Sequence, residues 1–341
     1  MIKGQKEPTR HIERLRDAVK SAFFGVVLCA GLTGLAVLIS GHFKFPVMMV
    51  CLFFGMACHV AYREIPQLKQ GVGFTSRTLL RAGVVLIGAR IMMSDFMSLG
   101  VNVMVLVVAS TVFIILAGII LARILGLEKE QGFLFGGATA ICGASAALAL
   151  SAVLPPSKNL ESHTSLAVIG VTTVGAIGMI TLPLLVGVLD FSDEQAGLLI
   201  GGTIHDVAQV VGAGYTVSEP AGDMAVLVKL MRVFMLVPLL LFMTLLYGQK
   251  QQVSEAKPPI IPIFLLGFML LMLLNSFNLI PSDVSVLLKT ISKWLLMMAI
   301  TAVGMKTSLG AIRSLGWRPV TLICGEAALL LIIYLYLIIV G

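Results

Sequence analysis

The sequence predicts an all-α polytopic membrane protein with about eleven transmembrane helices. Of its 341 residues, 58% are hydrophobic and only 12% are charged, which is about half the charged share of a soluble domain. The hydrophobic residues form long runs, and a helix of about 20 residues crosses the hydrocarbon core of a bilayer. Such runs are too long for a transmembrane β-barrel, whose strands alternate over about ten residues.

The apolar runs follow one another along the chain and are separated by short polar loops. The predicted spans lie near 21–40, 46–61, 78–93, 100–124, 131–154, 163–188, 195–216, 222–247, 259–277, 286–311 and 319–340. We divide the chain into a basic cytoplasmic tail, a peripheral transmembrane helix and two inverted five-helix repeats, all within one membrane domain. These parts cover residues 1–20, 21–40, 46–188 and 195–340.

The positive charge of the chain follows a pattern of membrane topology rather than of nucleic-acid binding, although the net charge is +7. Lys and Arg concentrate in the tail, between spans two and three, and after spans four, eight and ten. The positive-inside rule then predicts a cytoplasmic N-terminus and, with an odd number of spans, a C-terminus outside. The opposite loops hold few cations, mainly Lys44 and Lys158, and one loop disagrees because Asp190, Asp193 and Glu194 would be cytoplasmic without a cation.

The fifth span is interrupted by small residues. Residues 136–147 are built from Gly, Ala, Thr and Ser around Ile141 and Cys142. An unwound backbone is tolerated in hydrocarbon only where it is buried in protein or lines a wet cavity. Broken helices of this kind carry the substrate site of secondary transporters. We therefore expect a discontinuous helix and a binding site in this span.

Short internal matches indicate the two inverted repeats. Three pairs of matching residues occur in the same order along the chain. They are His59 with His205, Arg81 with Lys229, and Thr139 with Thr301. A five-span unit has odd parity, so its second copy enters the membrane from the opposite face. Spans five and ten should then be paired broken helices that cross near the midplane, with positive N-terminal ends that suit an anion.

The two spans predicted to be broken supply the candidate substrate-binding residues. Backbone N–H groups, hydroxyls and one ammonium group would face the anion. The candidates are Thr139, Cys142, Gly143 and Ser145 in span five, and Thr301, Gly304 and Lys306 in span ten. Lys306 has an equally good alternative role, in which its ammonium group reaches the cytoplasmic interface.

Polar side chains in the middle of spans seven and eleven are candidates for ion or proton coupling. His205, Asp206 and Gln209 lie in span seven, and Glu326 lies in the last span. A charged group at mid-membrane costs at least about 2.5 kcal/mol, so such residues are usually functional; the alternative is a hydrogen-bonded pair that fixes helix packing. Histidine titrates near neutral pH, which suits a proton carrier. On a regular helix His205 and Asp206 would point about 100° apart, so we do not expect Asp206 to orient His205.

Cations outnumber carboxylates within the apolar spans, which favours an anionic substrate. The cations are Arg81, Arg90, Lys229, Arg232, Lys293 and Lys306, against the carboxylates of Asp206 and Glu326. Long basic side chains near helix ends usually snorkel to the membrane interface. We interpret Arg81, Arg90, Lys229 and Arg232 in this way.

An intramembrane serine protease is a rival interpretation. Residues 143–146 resemble a G-x-S motif, and His205 would be the base. Nucleophilic catalysis needs the two side chains within hydrogen-bond reach, and the residue after Ser145 is Ala rather than Gly. Small residues in a membrane helix more often serve close packing, so we expect no enzyme and no catalytic residues.

No cofactor and no metal ion are expected from the sequence. The five cysteines all lie in apolar spans, and no C-x-x-C pair occurs among them. This distribution is typical of buried thiols that act as small hydrophobic residues rather than of a disulfide framework or a zinc site.

Two stretches of the chain resemble the signatures of a known family. Residues 139–147 and 202–214 are similar to the two signature stretches of the YeiH-type family, conserved hypothetical proteins of the bacterial inner membrane that are labelled as sulfate exporters. The resemblance covers nearly the whole chain. It implies a relation to the superfamily of bile-acid symporters and sodium/proton antiporters, whose core has two crossed, broken helices. The antiporters place acidic residues at that crossing, and residues 140–145 contain none, which argues against sodium antiport.

Together these observations predict a secondary transporter, an exporter of a small anion such as sulfate or sulfite, that works by alternating access. The expected partners are the anionic substrate, a coupling proton or sodium ion, and the lipid bilayer, with a homodimer left open and no nucleic acid. The alternatives are a cation-coupled carrier of an organic anion, a channel, and a non-transport membrane sensor or intramembrane enzyme.

Overall fold

The structure, a computed structural model, describes residues 7–247, 262–307, 310 and 315–340. All regular elements in these ranges are helical, and none of the described residues lies in a strand. In chain order the helices are α1 (Glu7–Phe43), α2 (Val47–Ala57), α3 (His59–Glu64), α4 (Pro66–Phe74), α5 (Leu80–Ile87), α6 (Met93–Ser98), α7 (Gly100–Ile124), α8 (Lys129–Ala140), α9 (Ala144–Ser151), α10 (Leu160–Val188), α11 (Asp193–Thr203), α12 (Val207–Val217), α13 (Glu219–Phe234), α14 (Leu236–Tyr247), α15 (Ile263–Ser276), α16 (Ser282–Lys306) and α17 (Trp317–Val340). A π-helical segment, Thr75–Leu79, joins α4 to α5.

Six helical segments of the described chain are long and apolar enough to cross a membrane. They are Ala22–Phe43 within α1, α7, α10, Glu219–Leu246 across α13 and α14, α16, and α17. Three shorter apolar helices, α2, α12 and α15, accompany them. The helices therefore fit the predicted all-α polytopic membrane protein, with a correction to spans five and seven that follows from their geometry.

The helices form two compact units. The first is drawn from residues 1–84 and 290–307, and the second from residues 85–289 and 308–341. In the first unit, close helix contacts depend on glycine. A Cβ at Gly25 of α1 would lie 2.6 Å from the Cα of Gly71 in α4. Only glycine lets two helix backbones approach so closely.

The predicted break in span ten is wrong, because α16 is helical without interruption from Ser282 to Lys306. The hydroxyl of Thr301 donates to the carbonyl of Met297, one turn earlier, at 3.1 Å. A Cβ at Gly55 of α2 would lie 2.9 Å from the Cα of Gly304. The small residues of span ten therefore serve a tight contact with α2 within the first unit and leave its backbone helical.

The second unit contains two helical hairpins, and the first consists of α8 and α9. We call it hairpin 1, residues 129–151. Its arms lie side by side, because a Cβ at Gly137 would press on the side chain of Leu150. Beyond α9 the chain returns to the start of α8, where the Ser157 hydroxyl donates to Glu130 at 2.7 Å.

Helices α11 and α12 form the other hairpin in the same way. We call it hairpin 2, residues 193–217. Its two ends lie together, because the hydroxyl of Ser218 donates to the carboxylate of Asp193 at 2.5 Å. Helix α13 packs along both of its arms, and a Cβ at Gly214 would lie 2.9 Å from the Cα of Gly222 in α13.

Neither hairpin has the form of a helix that crosses a membrane. Helix α8 has 12 residues and α11 has 11 residues, so the first arm of each hairpin is about 17 Å long at about 1.5 Å per residue, roughly half the hydrocarbon thickness. The prediction that spans five and seven are single crossing helices is wrong, since each is a hairpin whose two ends lie together. Helix α10, with 29 residues, joins the two hairpins.

Candidate functional site

The tips of the two hairpins meet inside the second unit. Tip 1 is residues 141–143, between α8 and α9, and tip 2 is residues 204–206, between α11 and α12. A Cβ at Gly143 would lie 3.4 Å from the carbonyl oxygen of His205. Beside the tips runs the middle of α10, where the backbone carbonyl of Thr172 accepts a hydrogen bond from the Gln209 amide at 2.9 Å.

Tip 1 leaves the helical conformation at Ile141, which has φ −113° and ψ −88°, and the chain turns back at one glycine. Gly143 has φ 64° and ψ −129°, a backbone conformation that residues with a Cβ rarely adopt. Tip 2 breaks by extension instead. Ile204 has φ −70° and ψ 141°, and Asp206 has φ −102° and ψ 141°. The break predicted in span five is confirmed, and the break in span seven was not predicted.

Each tip leaves helix C-terminal carbonyls without partners in their own helix, and two buried cations of α13 bind them. An α-helix leaves its last four carbonyl groups unpaired and carries partial negative charge at that end. The ammonium group of Lys229 donates to the carbonyls of Ile141 at 2.6 Å and Ile204 at 2.9 Å. It therefore bridges the two tips.

Arg232 bridges the same two helix ends one turn further along α13. Its Nε donates to the carbonyl of Ala140 at 2.8 Å, and its Nη2 donates to that of Thr139 at 2.7 Å. Its Nη1 donates to the carbonyl of Gly202 in α11. Both Lys229 and Arg232 are 0% exposed. The interpretation that they snorkel to the interface is therefore wrong.

The N-terminal ends of the second arms differ in how they are capped. Helix α12 is capped by Asp206, whose carboxylate accepts from the backbone N–H of Ala208 at 2.8 Å. Helix α9 begins after Gly143 and has no side-chain cap. Ser145, in its first turn, is exposed. At the tips, therefore, the C-terminal carbonyl groups are buried and bound by cations. The N-terminus of α9, in contrast, is accessible and has no side-chain cap.

The candidate substrate-binding residues of span five have different hydrogen-bond partners. Cys142 is buried, and the hydroxyl of Ser145 lies 2.9 Å from its sulfur and 3.1 Å from its carbonyl oxygen. Thr139 is fully buried in α8, and its hydroxyl donates to Glu326 of α17 at 2.9 Å. A catalytic dyad would pair Ser145 with His205, whereas the hydrogen bonds found for the Ser145 hydroxyl go to Cys142.

Three buried acceptors or ring nitrogens near the tips have no hydrogen-bond partner among the described residues. They are Nδ1 of His205, Oε1 of Gln209 and Oε1 of Glu326. His205 and Asp206 also lie outside any regular helix, so the expectation of a 100° angle between them does not apply. Asp206 serves as the N-cap of α12 instead.

The remaining predicted residues lie in the first unit or at the rim of the second. The hydroxyl of Thr301 lies 3.1 Å from that of Thr33, and the ammonium group of Lys306 donates to Ser76 at 3.2 Å, both within the first unit. Gly304 packs against α2 there. Arg90, interpreted as snorkelling, forms ion pairs with Asp223 at 2.9 Å and Glu219 at 3.2 Å.

Sequence reasoning undervalued Lys229 and Arg232. One signal was present, because residues three apart share a face of a helix and both interrupt an otherwise apolar span. Two cations on one buried face need a concentrated source of negative charge. Two broken helices supply it through the carbonyl groups at their ends, six of which accept hydrogen bonds from the two cations.

Comparison with known proteins places this fold in a family. The family model described as Conserved hypothetical protein 698 matches residues 24–323. The chain is 39% identical over 315 residues to a UPF0324 membrane protein of Chlorobaculum tepidum, which covers 92% of this chain and 88% of that protein. It is 39% identical over 318 residues to the UPF0324 membrane protein TauZ of Paracoccus denitrificans, with 92% and 94% of the two chains covered.

The family that the sequence resembles, the YeiH-type family, is named after a more distant relative. The chain is 33% identical over 313 residues to the UPF0324 inner membrane protein YeiH of Escherichia coli, which covers 86% of this chain and 87% of YeiH. Among solved structures, a sodium proton antiporter of Methanocaldococcus jannaschii matches with 15% identity and a TM-score of 0.30 over 94% of this chain and 99% of that one. A likeness this weak supports no conclusion. The resemblance to the YeiH-type family is confirmed, and the chain belongs to the UPF0324 family of membrane proteins.

Proposed function

We propose that this membrane protein is a secondary transporter that moves a small anion across the inner membrane by alternating access. One observation carries the proposal. The two re-entrant tips meet with their carbonyl ends neutralised by Lys229 and Arg232, which leaves the uncapped N-terminus of α9 accessible. Re-entrant and broken helices that meet near the midplane are a recurrent design of transporter sites.

The charge balance at the tips favours an anion. Two cations, Lys229 and Arg232, lie at the tips with one charged carboxylate, Asp206, when the nearby Glu326 holds the proton that we propose for it. The partial charges of the two C-terminal and two N-terminal helix ends cancel, at about half an elementary charge each. A small anion such as sulfate or sulfite would then bind at the first turn of α9, with N–H groups and the Ser145 hydroxyl as donors.

Outward movement of an anion is favourable without a coupling ion. A membrane potential that is negative inside drives each negative charge outward with about 2.3 kcal/mol per 100 mV. The resemblance to proteins labelled as sulfate exporters supports the same direction. Where a proton is coupled, Glu326, His205 and Gln209 are the groups we propose to hold it or to orient it. Each has a buried polar atom without a partner among the described residues.

The counterflow of a radiolabelled anion tests transport directly. Proteoliposomes that contain the purified protein are loaded with unlabelled sulfate or sulfite, and the entry of external labelled sulfate is followed. We expect saturable accumulation that depends on the internal anion, reduced at least tenfold in Lys229→Met. Ser145→Ala should only weaken it, because backbone N–H groups remain.

Other outcomes separate the alternatives. Flux that does not saturate and shows no counterflow would indicate a channel. Flux that appears only with sodium would indicate a cation-coupled carrier. No flux with any oxyanion would contradict the proposal, and loss of a proteolytic activity in Ser145→Ala would support the enzyme instead.

The re-entrant hairpins also change the proposed topology between residues 155 and 218. With a cytoplasmic N-terminus, the loop that contains Lys158 becomes cytoplasmic, and the loop that contains Asp190 and Asp193 lies outside. The loop that contains Asp190 was the one that disagreed with the positive-inside rule when span five was treated as a crossing. Re-entry removes that disagreement, places Lys158 on the cytoplasmic side and keeps the C-terminus outside.

Accessibility of two single cysteines tests this topology. In a chain whose native cysteines are replaced by alanine, we expect Lys158→Cys to react with a membrane-impermeant maleimide only from the cytoplasmic face. Asp190→Cys should react only from outside. The opposite pattern for both residues would mean that span five crosses the membrane. Lys44→Cys, in the loop between spans one and two, is the matched control for the outer face.

The re-entrant hairpins also change the proposed relation between the two halves of the chain. Each predicted five-span unit then holds one hairpin and four crossings, so its parity is even and the second copy would enter the membrane from the same face as the first. The three pairs of matching residues therefore do not make the two units inverted copies in this topology, and inverted repeats form no part of the proposal.

A further inference from the structure

We propose that Glu128, Glu130 and His163 form a binding site for a divalent transition-metal ion, of which Zn²⁺ is the representative, at the open end of hairpin 1. One ligand atom from each of the three residues lies within 4.8 Å of the other two. Glu128 is the N-cap residue of α8, Glu130 lies in its first turn, and His163 lies in the first turn of α10. The three residues thus come from two helices that the hairpin separates in the chain.

The imidazole of His163 is the observation that points to a ligand. His163 is 8% exposed, and its Nδ1 is buried with no hydrogen-bond partner in the part of the chain that the structure describes. Buried polar atoms are nearly always paired, so an unpaired ring nitrogen needs an explanation. One of the two ring nitrogens lies within 4.8 Å of an oxygen of each carboxylate, so a metal ion between these groups would bind the imidazole.

Hydrogen bonds hold the two carboxylates for such an ion. The side-chain amide of Asn159 donates to Oε1 of Glu128 at 2.8 Å, and the hydroxyl of Ser157 donates to Oε2 of Glu130 at 2.7 Å. One oxygen of each carboxylate remains for the metal. Partners of this kind orient the carboxylates that bind metals in proteins. The salt bridges identified within the described residues involve neither glutamate.

The donor set favours Zn²⁺ or a similar ion over Ca²⁺ and Mg²⁺. An imidazole nitrogen with two carboxylate oxygens suits Zn²⁺, whereas Ca²⁺ and Mg²⁺ prefer oxygen ligands alone. Zinc ligands at about 2.0 to 2.2 Å from the ion lie roughly 3.3 Å apart. The distances between the ligand atoms, at most 4.8 Å, need to shorten by up to about 1.5 Å, which the exposed side chain of Glu128 permits. Water would complete the coordination.

A bound ion would fasten the open end of hairpin 1. It would tie the start of α8 to the start of α10, and the Ser157 and Asn159 contacts include the connecting segment. The position is at the opposite end of hairpin 1 from the tip. Metal binding there does not depend on the proposed transport, and it can be measured without it.

Zinc binding to the purified full-length protein in detergent tests the site. After treatment with a chelator, we expect equilibrium dialysis against Zn²⁺ and elemental analysis to give one ion per chain. Zn²⁺ should also raise the apparent melting temperature with a single saturating curve. The double variant Glu128→Gln, Glu130→Gln should bind at least tenfold more weakly, and so should His163→Gln.

A matched variant keeps the test specific. Glu161→Gln removes an exposed carboxylate from the same first turn of α10, and its zinc affinity should equal that of the unchanged protein. The double glutamate variant keeps the size of both side chains, so it reports on the site even where His163→Gln does not fold. Equal zinc affinity in the double variant and the unchanged protein would mean adventitious binding elsewhere and would overturn the proposal.

Discussion

Replacement of Arg232 by methionine should destabilise the protein by at least about 3 kcal/mol and should abolish transport. The guanidinium group binds the carbonyls of Thr139, Ala140 and Gly202 in an environment that water does not reach. Each buried acceptor left unpaired costs about 1 to 3 kcal/mol. Methionine has a similar length and fills the space, so the variant removes the hydrogen bonds and the charge rather than the packing.

The melting temperature in detergent measures this effect. Arg123→Met is the matched control, because Arg123 is exposed in the last turn of α7, and its replacement should change stability by no more than about 0.5 kcal/mol. Arg232→Lys should fall between the two, since lysine keeps the charge but lacks the planar fork that reaches several carbonyls at once. Equal melting temperatures for Arg232→Met and Arg123→Met would show that the tips hold together without this cation.

The difference between spans five and ten explains how far the sequence predicts this site. Both spans carry small residues, and the pattern predicted a broken helix in each. In span five, Gly143 adopts a positive φ and lets the chain turn back into α9. In span ten, Gly304 keeps a helical backbone and lets α2 approach. Glycine permits both a positive φ and a close helix contact. The segment that packs on the glycine decides which of the two occurs.

The sequence did not predict the re-entrant hairpins, for a related reason. A segment such as 131–154 has the length and apolarity of a crossing helix, and two half-length arms have the same composition as one full span. The loop charges carried only a weak signal, since one loop, with Asp190, Asp193 and Glu194, disagreed with the predicted topology. Acidic residues count for little in the positive-inside rule, so the rule alone did not predict re-entry.

The sequence did not predict the burial of Lys229 and Arg232, for a different reason. Their partners are backbone carbonyls, which every residue possesses, so no residue type marks them. The carbonyls become available only where two helices end at the same place. Glu326 and Thr139 show the contrast, because a buried carboxylate in an apolar helix predicts a side-chain partner, and the structure supplies one at 2.9 Å.

Replacement of Gly143 by alanine should reduce anion transport at least tenfold while it leaves most of the protein folded. At φ 64° a Cβ strains the backbone by about 1 to 2 kcal/mol, and relief of that strain would rotate the first N–H groups of α9. The Cβ itself would lie 3.4 Å from the carbonyl oxygen of His205, an ordinary contact, so the effect is on backbone direction rather than on packing. Counterflow in proteoliposomes and the melting temperature measure the two consequences separately.

Gly126→Ala is the matched control. It shows whether the loss of transport comes from strain at tip 1 or from backbone strain elsewhere in the chain. Gly126 also has a positive φ, 68°, and among the described residues a Cβ there would meet the guanidinium group of Arg318, at 3.6 Å. It follows α7 outside both hairpins, so its replacement should lower the melting temperature but leave counterflow intact. If Gly143→Ala and Gly126→Ala transport equally well, the conformation of tip 1 does not control transport, and the anion site must be sought away from the start of α9. If only Gly143→Ala fails while both variants remain folded at the assay temperature, the loss comes from the direction of the N–H groups at tip 1.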